Sequence, residues 1–409
     1  MFKNIISLFA LQGANYIIPL ITLPFLVKTL GPESYGYLGI SLAIIQYVCL
    51  ITDYGFNLTA TNEVTKLVGC KIKLTRLFWS VLFCKLILFL LCFLCIFVLL
   101  YTNNSVSQAW NIILYATGIA LGNIIFPTWL FQGKEKMGVV AITNIISRII
   151  TLPFVFVYIS GPRDTYFVAG LMSISSMISA IIGLYLIYKW EWVGVTKIKF
   201  SDIKNQFIDG WHVFISTASV SLYTTCIPLI LGMLCGPAAV GYYVAADKIK
   251  QAVQGLITPI SQVVYPRISY LLAEDKNNGI KFIRKLLLIQ TCAMFIISLV
   301  IFLCSSDIVM LIYNEGYGQT IMVLKILSPC IFLIGISNVL GIQTMLTMGM
   351  KKEFSLILLL CGILNIVLIF PLSYKLQENG AALSILITEI VVVSIMSIAI
   401  LIRKKLVLS

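Results

Sequence analysis

The sequence predicts an all-α polytopic membrane protein that crosses the bilayer about twelve times and folds as two six-helix bundles in parallel repeat. Three observations predict this class: the composition, the spacing of the apolar runs and a duplicated motif. Hydrophobic residues make up 60% of the 409 residues and charged residues only 11%, whereas charged residues are about 25% of a typical soluble domain. The composition therefore excludes a soluble globular protein.

Twelve apolar runs of about 20 residues, the length of a bilayer-spanning helix, lie along the chain. These predicted spans 1 to 12 cover residues 8–28, 38–58, 77–100, 111–131, 139–160, 166–188, 211–234, 241–262, 285–304, 322–346, 354–374 and 380–402. The longest polar break separates spans 6 and 7. It predicts an N-terminal bundle over 1–190, a cytoplasmic linker over 191–210 and a C-terminal bundle over 211–409.

A duplicated motif supports the division into halves. The pattern Gly-Pro-x-x-x-Gly-Tyr occurs at Gly31–Tyr37 and again at Gly236–Tyr242, 205 positions later, and Ile-Pro-Leu precedes both copies. A second echo pairs Asn144 with Asn365, each followed by a proline. Because six spans separate corresponding points, the halves share one orientation, an arrangement common in secondary transporters that rock one half against the other.

The basic residues predict the orientation of the chain. With both termini in the cytoplasm, 21 of the 29 Lys and Arg residues fall at cytoplasmic ends of the spans, and only Lys28, Arg163 and Lys375 fall at the opposite ends. Such a bias is typical of cytoplasmic loops. It explains the net charge of +13 without a nucleic-acid partner, and we expect none.

Composition also limits the chemistry. Most of the eleven cysteines lie inside apolar runs, where they behave as small hydrophobic residues, and His212 is the single histidine. We therefore expect neither a metal site nor another cofactor.

Eight charged residues inside the predicted spans are the candidate functional groups. The basic ones are Lys85, Arg148, Lys248, Lys250 and Lys325. The acidic ones are Asp53, Asp247 and Glu389. A charge at the bilayer centre costs about 2.5 to 3.5 kcal/mol on insertion scales, so it normally faces a partner or a wet cavity.

Five cations against three anions predict a cavity that favours an anionic ligand, with the cations binding it and the acids binding a coupling proton or cation. Structural alternatives stand beside this interpretation. Lys85 and Lys325 could extend to the nearby interface, and Asp247 could pair with Lys250 or Gln251. Arg148 and Glu389 could also serve only in structural pairs.

Polar stripes at helical spacing predict the lining of this cavity. On span 8 the stripe comprises Asp247, Lys250, Gln251, Gln254 and Thr258. On span 1 it comprises Gln12, Asn15 and Tyr16.

Several blocks of the sequence also resemble those of a known family. They are the runs Tyr16–Leu26 and Leu30–Pro32, with Asp53–Asn57, Trp129–Met137, Gly241–Ile249 and Tyr265–Ile268. Together they resemble Wzx-type polysaccharide flippases of the multidrug/oligosaccharidyl-lipid/polysaccharide (MOP) exporter superfamily, and the likeness covers almost the whole chain.

The resemblance implies a MOP-type flippase fold of two six-helix bundles in the bacterial inner membrane. It implies that the protein moves an undecaprenyl-pyrophosphate-linked oligosaccharide, an O-antigen or similar repeat unit, from the cytoplasmic to the periplasmic leaflet. Alternating access driven by an ion gradient, and polysaccharide polymerase and chain-length machinery as partners, are part of the same expectation. A pyrophosphate is an anion that Lys and Arg can hold.

Two other functions stay open. A cation-coupled exporter of another substrate would share the fold, although cationic drugs would favour an acidic cavity. A membrane-embedded polymerase or ligase would need a sizeable outer domain or loop to assemble an active site, whereas the predicted outer loops Thr102–Ala109 and Gly161–Thr165 are short. We therefore expect a transporter and not an enzyme.

Overall fold

The structure is a computed structural model that describes residues 2–67, 70–102, 107–255 and 257–408. Within the helices, it leaves out the side chains of residues 2–20, 99–102, 212, 216–217, 219–220, 222–224, 258–259, 262–263, 276 and 404–408. The described part of the chain is helical without strands, which confirms the predicted class.

The helices are numbered α1 to α15 along the described residues. They are α1 Phe2–Asp53, α2 Phe56–Lys66, α3 Lys71–Thr102, α4 Trp110–Ile125, α5 Thr128–Gly133, α6 Met137–Tyr158, α7 Thr165–Lys189, α8 Phe200–Thr225, α9 Ile227–Cys235, α10 Pro237–Gln254, α11 Ile257–Glu274, α12 Lys276–Leu303, α13 Ser305–Tyr313, α14 Gly318–Asn338 and α15 Lys351–Leu408. Two 3₁₀ turns, Pro162–Asp164 and Glu315–Tyr317, and one π-helix, Val339–Leu346, complete the description.

All twelve predicted spans fall on these helices. α1 and α15 are each broken once, at Gly31 (φ 73°) and Gln377 (φ 51°), so each covers two predicted spans. Predicted span 7 is divided between α8 and α9, which meet at Cys226. Eight stretches of the described residues are long and apolar enough to cross a membrane, and two of them, Ile21–Lys66 and Lys351–Arg403, contain these breaks.

The chain divides into two compact units. Unit A is Tyr37–Leu229, and unit B combines Met1–Gly36 with Ile230–Ser409. The units thus group predicted spans 2 to 7 together and span 1 with spans 8 to 12. The predicted bundles over 1–190 and 211–409 follow the sequence repeat, and this division stays a prediction.

The predicted linker 191–210 is helical over its second part, because α8 begins at Phe200. The carboxylate of Asp202 accepts a hydrogen bond from the backbone N–H of Lys199 (3.0 Å) and so caps the helix. Ile203 and Phe207, one turn apart, then pack against the core of unit A. The capping carboxylate of Asp202 and the packing of Ile203 and Phe207 therefore explain why α8 begins before predicted span 7 does.

Small residues bring α4 and α7 of unit A together. A Cβ atom on Gly122 would lie 2.2 Å from the hydroxyl oxygen of Ser176, and one on Gly118 would lie 2.7 Å from Ser173. Both serines donate hydrogen bonds to carbonyl groups of α4. Such close helix packing through small residues is typical of membrane proteins. Apolar side chains do not drive helices together there, because lipid tails are equally apolar.

The internal repeat is visible in the hydrogen bonds of both units. In unit A the side-chain oxygen of Asn144 accepts a hydrogen bond from Ser179 (2.8 Å). In unit B the side-chain nitrogen of Asn365 donates one to Thr388 (3.0 Å). In each case an asparagine of one pass links to a hydroxyl of the next, so the echo between Asn144 and Asn365 corresponds to a repeated contact.

The π-helix Val339–Leu346 marks a difference between the repeats. The interval from Asn338 to Gly349 is one residue longer than the interval from Asn123 to Gly133. A π-helical turn holds one residue more than an α-helical turn, which accommodates the extra residue in unit B. In unit A the same stretch breaks at Pro127, between α4 and α5.

Candidate functional site

A buried ion pair joins three passes of unit A. The Lys85 ammonium on α3 lies 2.8 Å from the Oδ1 atom of Asp53, the last residue of α1. The side-chain nitrogen of Asn123 on α4 is 3.5 Å from the other carboxylate oxygen. Lys85 is only 2% exposed, so it does not extend to the interface. A predicted ligand-binding cation and a predicted coupling acid therefore bind each other.

The end of α1 positions this carboxylate. Tyr54 (φ 41°) and Gly55 (φ 80°) adopt left-handed backbone conformations directly after Asp53. Glycine takes this conformation without steric cost, and a Cβ atom on Gly55 would lie 2.7 Å from Val213. The turn therefore fixes Asp53 at a helix end, where its side chain stays 26% exposed. The carboxylate keeps access to water or ions while it holds the buried Lys85.

A second charged cluster lies in unit B on α10. The Lys250 ammonium is 2.5 Å from the Oδ1 atom of Asp247, and the side-chain nitrogen of Gln251 donates to the other oxygen at 2.6 Å. Lys250 is 7% exposed. Glu389 on α15 is partly buried, and its charge lies within electrostatic range of Lys250. The direct partner of Lys250 in this cluster is Asp247.

The pairing of Asp247 with Lys250 and Gln251 is the structural alternative predicted from the helical stripe. It occurs within α10, at spacings of three and four residues, and so does not connect two helices. Glu389, a predicted coupling acid on α15, makes no ion pair among the described residues; its part in the cluster stays a prediction.

The other predicted cations belong to neither ion pair, although Lys248 contacts the cluster of unit B. Arg148 on α6 is partly buried and has a partner in the structure. Lys248 lies 3.5 Å from the side-chain oxygen of Gln251. Lys325 on α14 is partly buried, and no ion pair of the described residues includes it. Their role in binding substrate stays a prediction.

The predicted polar lining is only partly described. Gln251 is exposed, and the side-chain nitrogen of Gln254 is buried without a hydrogen-bond partner among the described residues. The remaining members lie outside the described side chains, and they are Gln12, Asn15, Tyr16 and Thr258.

Asn123 is the site residue that sequence reasoning missed. It lies in span 4, which carries no charge, and only its contact with Asp53 reveals it. Asn338 occupies the corresponding place in unit B, where its side-chain oxygen accepts a hydrogen bond from Ser261 (2.6 Å). Asn123 precedes Gly133 and Asn338 precedes Gly349 at nearly the same interval. This recurrence is the sequence signal that could have identified Asn123.

An open, mostly apolar groove of about 680 Å³ lies next to the ion pair of unit A. Its lining is Tyr54, Ile87, Phe200, Ile203, Lys204, Phe207, Ile208 and Trp211. Tyr54 follows Asp53 in the chain, and Ile87 lies two residues after Lys85. The groove is lined mainly by apolar and aromatic side chains, with Lys204 as its charged member.

The described residues offer no group of three or more His, Cys, Asp or Glu side chains that could hold a metal ion. Their charged clusters instead combine a lysine with carboxylates. Such clusters can bind anions, protons or monovalent cations by exchanging partners.

Eight described stretches that are long and apolar enough to cross a membrane define a multi-pass membrane protein. The fold is similar to that of "Lipid II flippase MurJ, inward closed conformation", with a TM-score of 0.74 and 16% identity over 97% of this chain and 86% of that one. It is also similar to an inward-facing multidrug resistance MATE family transporter of the MOP superfamily, with a TM-score of 0.69 and 15% identity over 95% and 96% of the chains. These similarities show the MOP fold.

Sequence comparison shows the family. Residues 1–272 match the family model described as "Polysaccharide biosynthesis protein". A protein of Escherichia coli (strain K12) described as "Putative O-antigen transporter" is 41% identical over 401 residues, which are 96% of this chain and 95% of the relative. The chain belongs to the polysaccharide biosynthesis protein family, which confirms the resemblance found in the sequence blocks.

Proposed function

We propose that this protein flips an undecaprenyl-pyrophosphate-linked oligosaccharide repeat unit from the cytoplasmic to the periplasmic leaflet of the inner membrane by alternating access. The observation that carries the proposal is the 41% identity, over nearly the whole chain, to a relative described as an O-antigen transporter. The fold shared with a lipid II flippase supports it. Both termini face the cytoplasm in this proposal, as the basic residues predict.

The buried lysines suggest how an anionic headgroup is handled. Lys85 and Lys250 each have a carboxylate partner within hydrogen-bonding distance. A substrate phosphate must therefore compete with Asp53 or Asp247 for the ammonium group. Protonation of that carboxylate, or its binding of a cation, removes the competition because it neutralises the acid.

This exchange provides a route for ion coupling. When Asp53 takes up a proton or cation, Lys85 becomes available to a pyrophosphate oxygen, and charge-assisted hydrogen bonds of this kind are strong. When the substrate leaves, Asp53 releases its ion and pairs with Lys85 again. The same cycle operates at Asp247 and Lys250 in unit B, with Glu389 as the second acid.

The two clusters lie at different predicted depths. Asp53 and Lys85 fall near the cytoplasmic ends of spans 2 and 3, whereas Asp247 falls in the periplasmic half of span 8. We place the first contact with the headgroup at the cluster of unit A and a later contact at the cluster of unit B. Arg148 and Lys325 supply further positive charge for acidic sugars or phosphate.

The test is complementation of a deletion strain. Wild type and Arg148→Ala are expressed, and lipid-linked oligosaccharide and surface polysaccharide are measured with protein levels in the membrane. Lys352→Ala, which removes an exposed lysine, is the matched control. We expect the deletion to lose surface polymer and accumulate lipid-linked single units, Lys352→Ala to restore export, and Arg148→Ala at a normal level to reduce it.

Two outcomes would contradict the proposal or part of it. If the deletion leaves export of single units intact and abolishes only chain growth, the protein is a polymerase. Full complementation by Arg148→Ala would remove this residue from the substrate path and leave the flippase in place. Co-purification with the polymerase and chain-length proteins tests the proposed partners.

A further inference from the structure

The two copies of the Gly-Pro-x-x-x-Gly-Tyr motif interlock within unit B. A Cβ atom on Gly36 would lie 1.7 Å from the carbonyl oxygen of Pro237, and one on Gly241 would lie 2.0 Å from the carbonyl oxygen of Pro32. The second glycine of each copy thus packs against the proline of the other copy. This reciprocal contact permits no side chain larger than hydrogen at either glycine.

Both copies have the same backbone shape at their first residue. Gly31 has φ 73° and ψ 169°, and Gly236 has φ 84° and ψ 176°. A residue with a Cβ atom rarely adopts this conformation, which is accessible to glycine. The proline that follows has a fixed φ and suits the first turn of the next helix. Two turns of equal shape therefore cross as a symmetric pair.

Four tyrosines form a layer beside this crossing, and we refer to them as the tyrosine layer: Tyr35, Tyr242, Tyr313 and Tyr317. The ring centroid of Tyr317 is 5.8 Å from that of Tyr242 and 5.5 Å from that of Tyr313. Tyr35, the neighbour of Gly36 in the first motif copy, is 5% exposed. The layer therefore begins directly beside the motif crossing.

One hydroxyl of the layer has no partner in this conformation. Tyr313 donates a hydrogen bond to the carbonyl oxygen of Ala245 (3.0 Å). The Tyr317 hydroxyl is buried and makes no hydrogen bond to any described residue. Buried polar side-chain atoms in proteins are nearly always paired. The Tyr317 hydroxyl is therefore the group of this layer that gains most from a rearrangement that supplies a partner.

We propose that the interlocked motifs and the tyrosine layer form the gate at the periplasmic end of the protein, closed in this conformation. The proposal rests on the proposed alternating-access function and on the predicted topology, in which the turns at Gly31 and Gly236 face the periplasm. Release of the substrate requires Gly36 to separate from Pro237. Opening gives the Tyr317 hydroxyl a partner, either water or a saccharide hydroxyl.

A cysteine at Thr320 reports the state of this gate. Thr320 is fully buried, and its hydroxyl donates to the carbonyl oxygen of Tyr242 (3.3 Å). Thr320→Cys is introduced into a chain whose eleven native cysteines are replaced by alanine or serine. Spheroplasts are then treated with a membrane-impermeant maleimide, which reaches the periplasmic side. The rate of labelling measures how often the gate opens.

Alanine at the interlocked glycines prevents closure. We expect Gly36→Ala and Gly241→Ala each to raise the labelling rate about tenfold or more, because overpacking at a backbone contact forces the elements apart. Gly316→Ala is the matched control, since Gly316 lies next to Tyr317 and a Cβ atom there would meet nothing within 4 Å. We expect it to label at the parental rate.

Two tyrosine variants test the gate without changing the backbone. They keep the proposal testable if the glycine variants fail to fold. Tyr313→Phe removes a hydrogen bond of the closed state, so labelling of Thr320→Cys becomes faster. Tyr317→Phe removes a hydroxyl that is paired only in the open state, so labelling becomes slower. The two substitutions delete the same group at positions four residues apart and have opposite expected signs.

Unchanged labelling in glycine variants present at normal levels would overturn the gate, and so would tyrosine variants that change labelling in the same direction. Failure of the proposed function is distinguishable. A deletion strain without accumulated lipid-linked units would refute the flippase, whereas labelling responds to the conformation of the protein and does not depend on the identity of the substrate.

Discussion

Removing the carboxylate of Asp53 separates the structural and functional roles of the buried ion pair. Asp53→Asn preserves the shape of the side chain but leaves the Lys85 ammonium without its charged partner. The ammonium lies 2.8 Å from the carboxylate oxygen and is 2% exposed. At this distance the attraction is about 6 kcal/mol at an effective dielectric constant of about 20.

The net cost is smaller than this attraction because both groups lose hydration on burial. Breaking a buried pair by removing one partner destabilises by about 3 to 5 kcal/mol. Asp53 keeps 26% exposure, so we expect the lower end, about 3 kcal/mol. That loss reduces the ratio of folded to unfolded protein by about two orders of magnitude.

The double variant Asp53→Asn with Lys85→Met supplies the decisive comparison. Replacing both partners of a buried pair by neutral groups is often neutral or stabilising. We therefore expect the double variant to recover the thermal stability and membrane level of wild type, while export of surface polysaccharide stays low. Thermal unfolding in detergent and complementation of the deletion strain measure the two properties.

Two results would refute this reasoning. If Asp53→Asn is as stable as wild type, neutralisation of the buried Lys85 charge by Asp53 does not contribute to stability. If the stable double variant exports polysaccharide at the wild-type rate, neither Asp53 nor Lys85 takes part in transport. The same comparison can be made with Asp247 and Lys250, whose charges lie in unit B.

Two further predictions concern packing. Asn365→Ala removes the hydrogen bond to Thr388 and should lower the free energy of unfolding by about 0.6 kcal/mol, the average for such bonds inside membranes, and by at most about 1.7 kcal/mol; a thermal shift in detergent checks it, and no shift would contradict it. Gly122→Leu should prevent the approach of α4 to Ser176 and reduce folded protein in the membrane, because a Cβ atom there would lie 2.2 Å from that hydroxyl. Gly138→Leu, where a Cβ atom would meet nothing within 4 Å, should leave the amount unchanged, and equal losses in both variants would show that packing at α4 is not the cause.

Local features made much of the fold predictable. Apolar runs of bilayer length predict the passes because no hydrogen-bonding water is present in the hydrocarbon core, so each segment must satisfy its own backbone. The motif copies at Gly31 and Gly236 are recognisable because the same left-handed backbone is needed twice. The pairing of Asp247 with Lys250 was available as an alternative because both lie on one face of one helix.

The remaining contacts depend on tertiary structure. Asp53 and Lys85 are 32 positions apart on different helices. The sequence around each residue contains no feature that identifies its partner. Asn123 is an uncharged residue that matters only because α4 places it beside Asp53. The reciprocal contact of Gly36 with Pro237 similarly requires the crossing of two helices that are far apart in the chain.

These pairings change the meaning of the intramembrane charges. Counted from the sequence, five cations and three acids suggest an excess of free positive charge, with separate sets for substrate and coupling ion. In the structure Lys85 and Lys250 already have carboxylate partners. An anionic substrate therefore gains a lysine only when an acid loses its charge or its contact. Under the proposed function, binding of the headgroup and binding of the coupling ion occur at the same side chains, so a variant that abolishes one should also abolish the other.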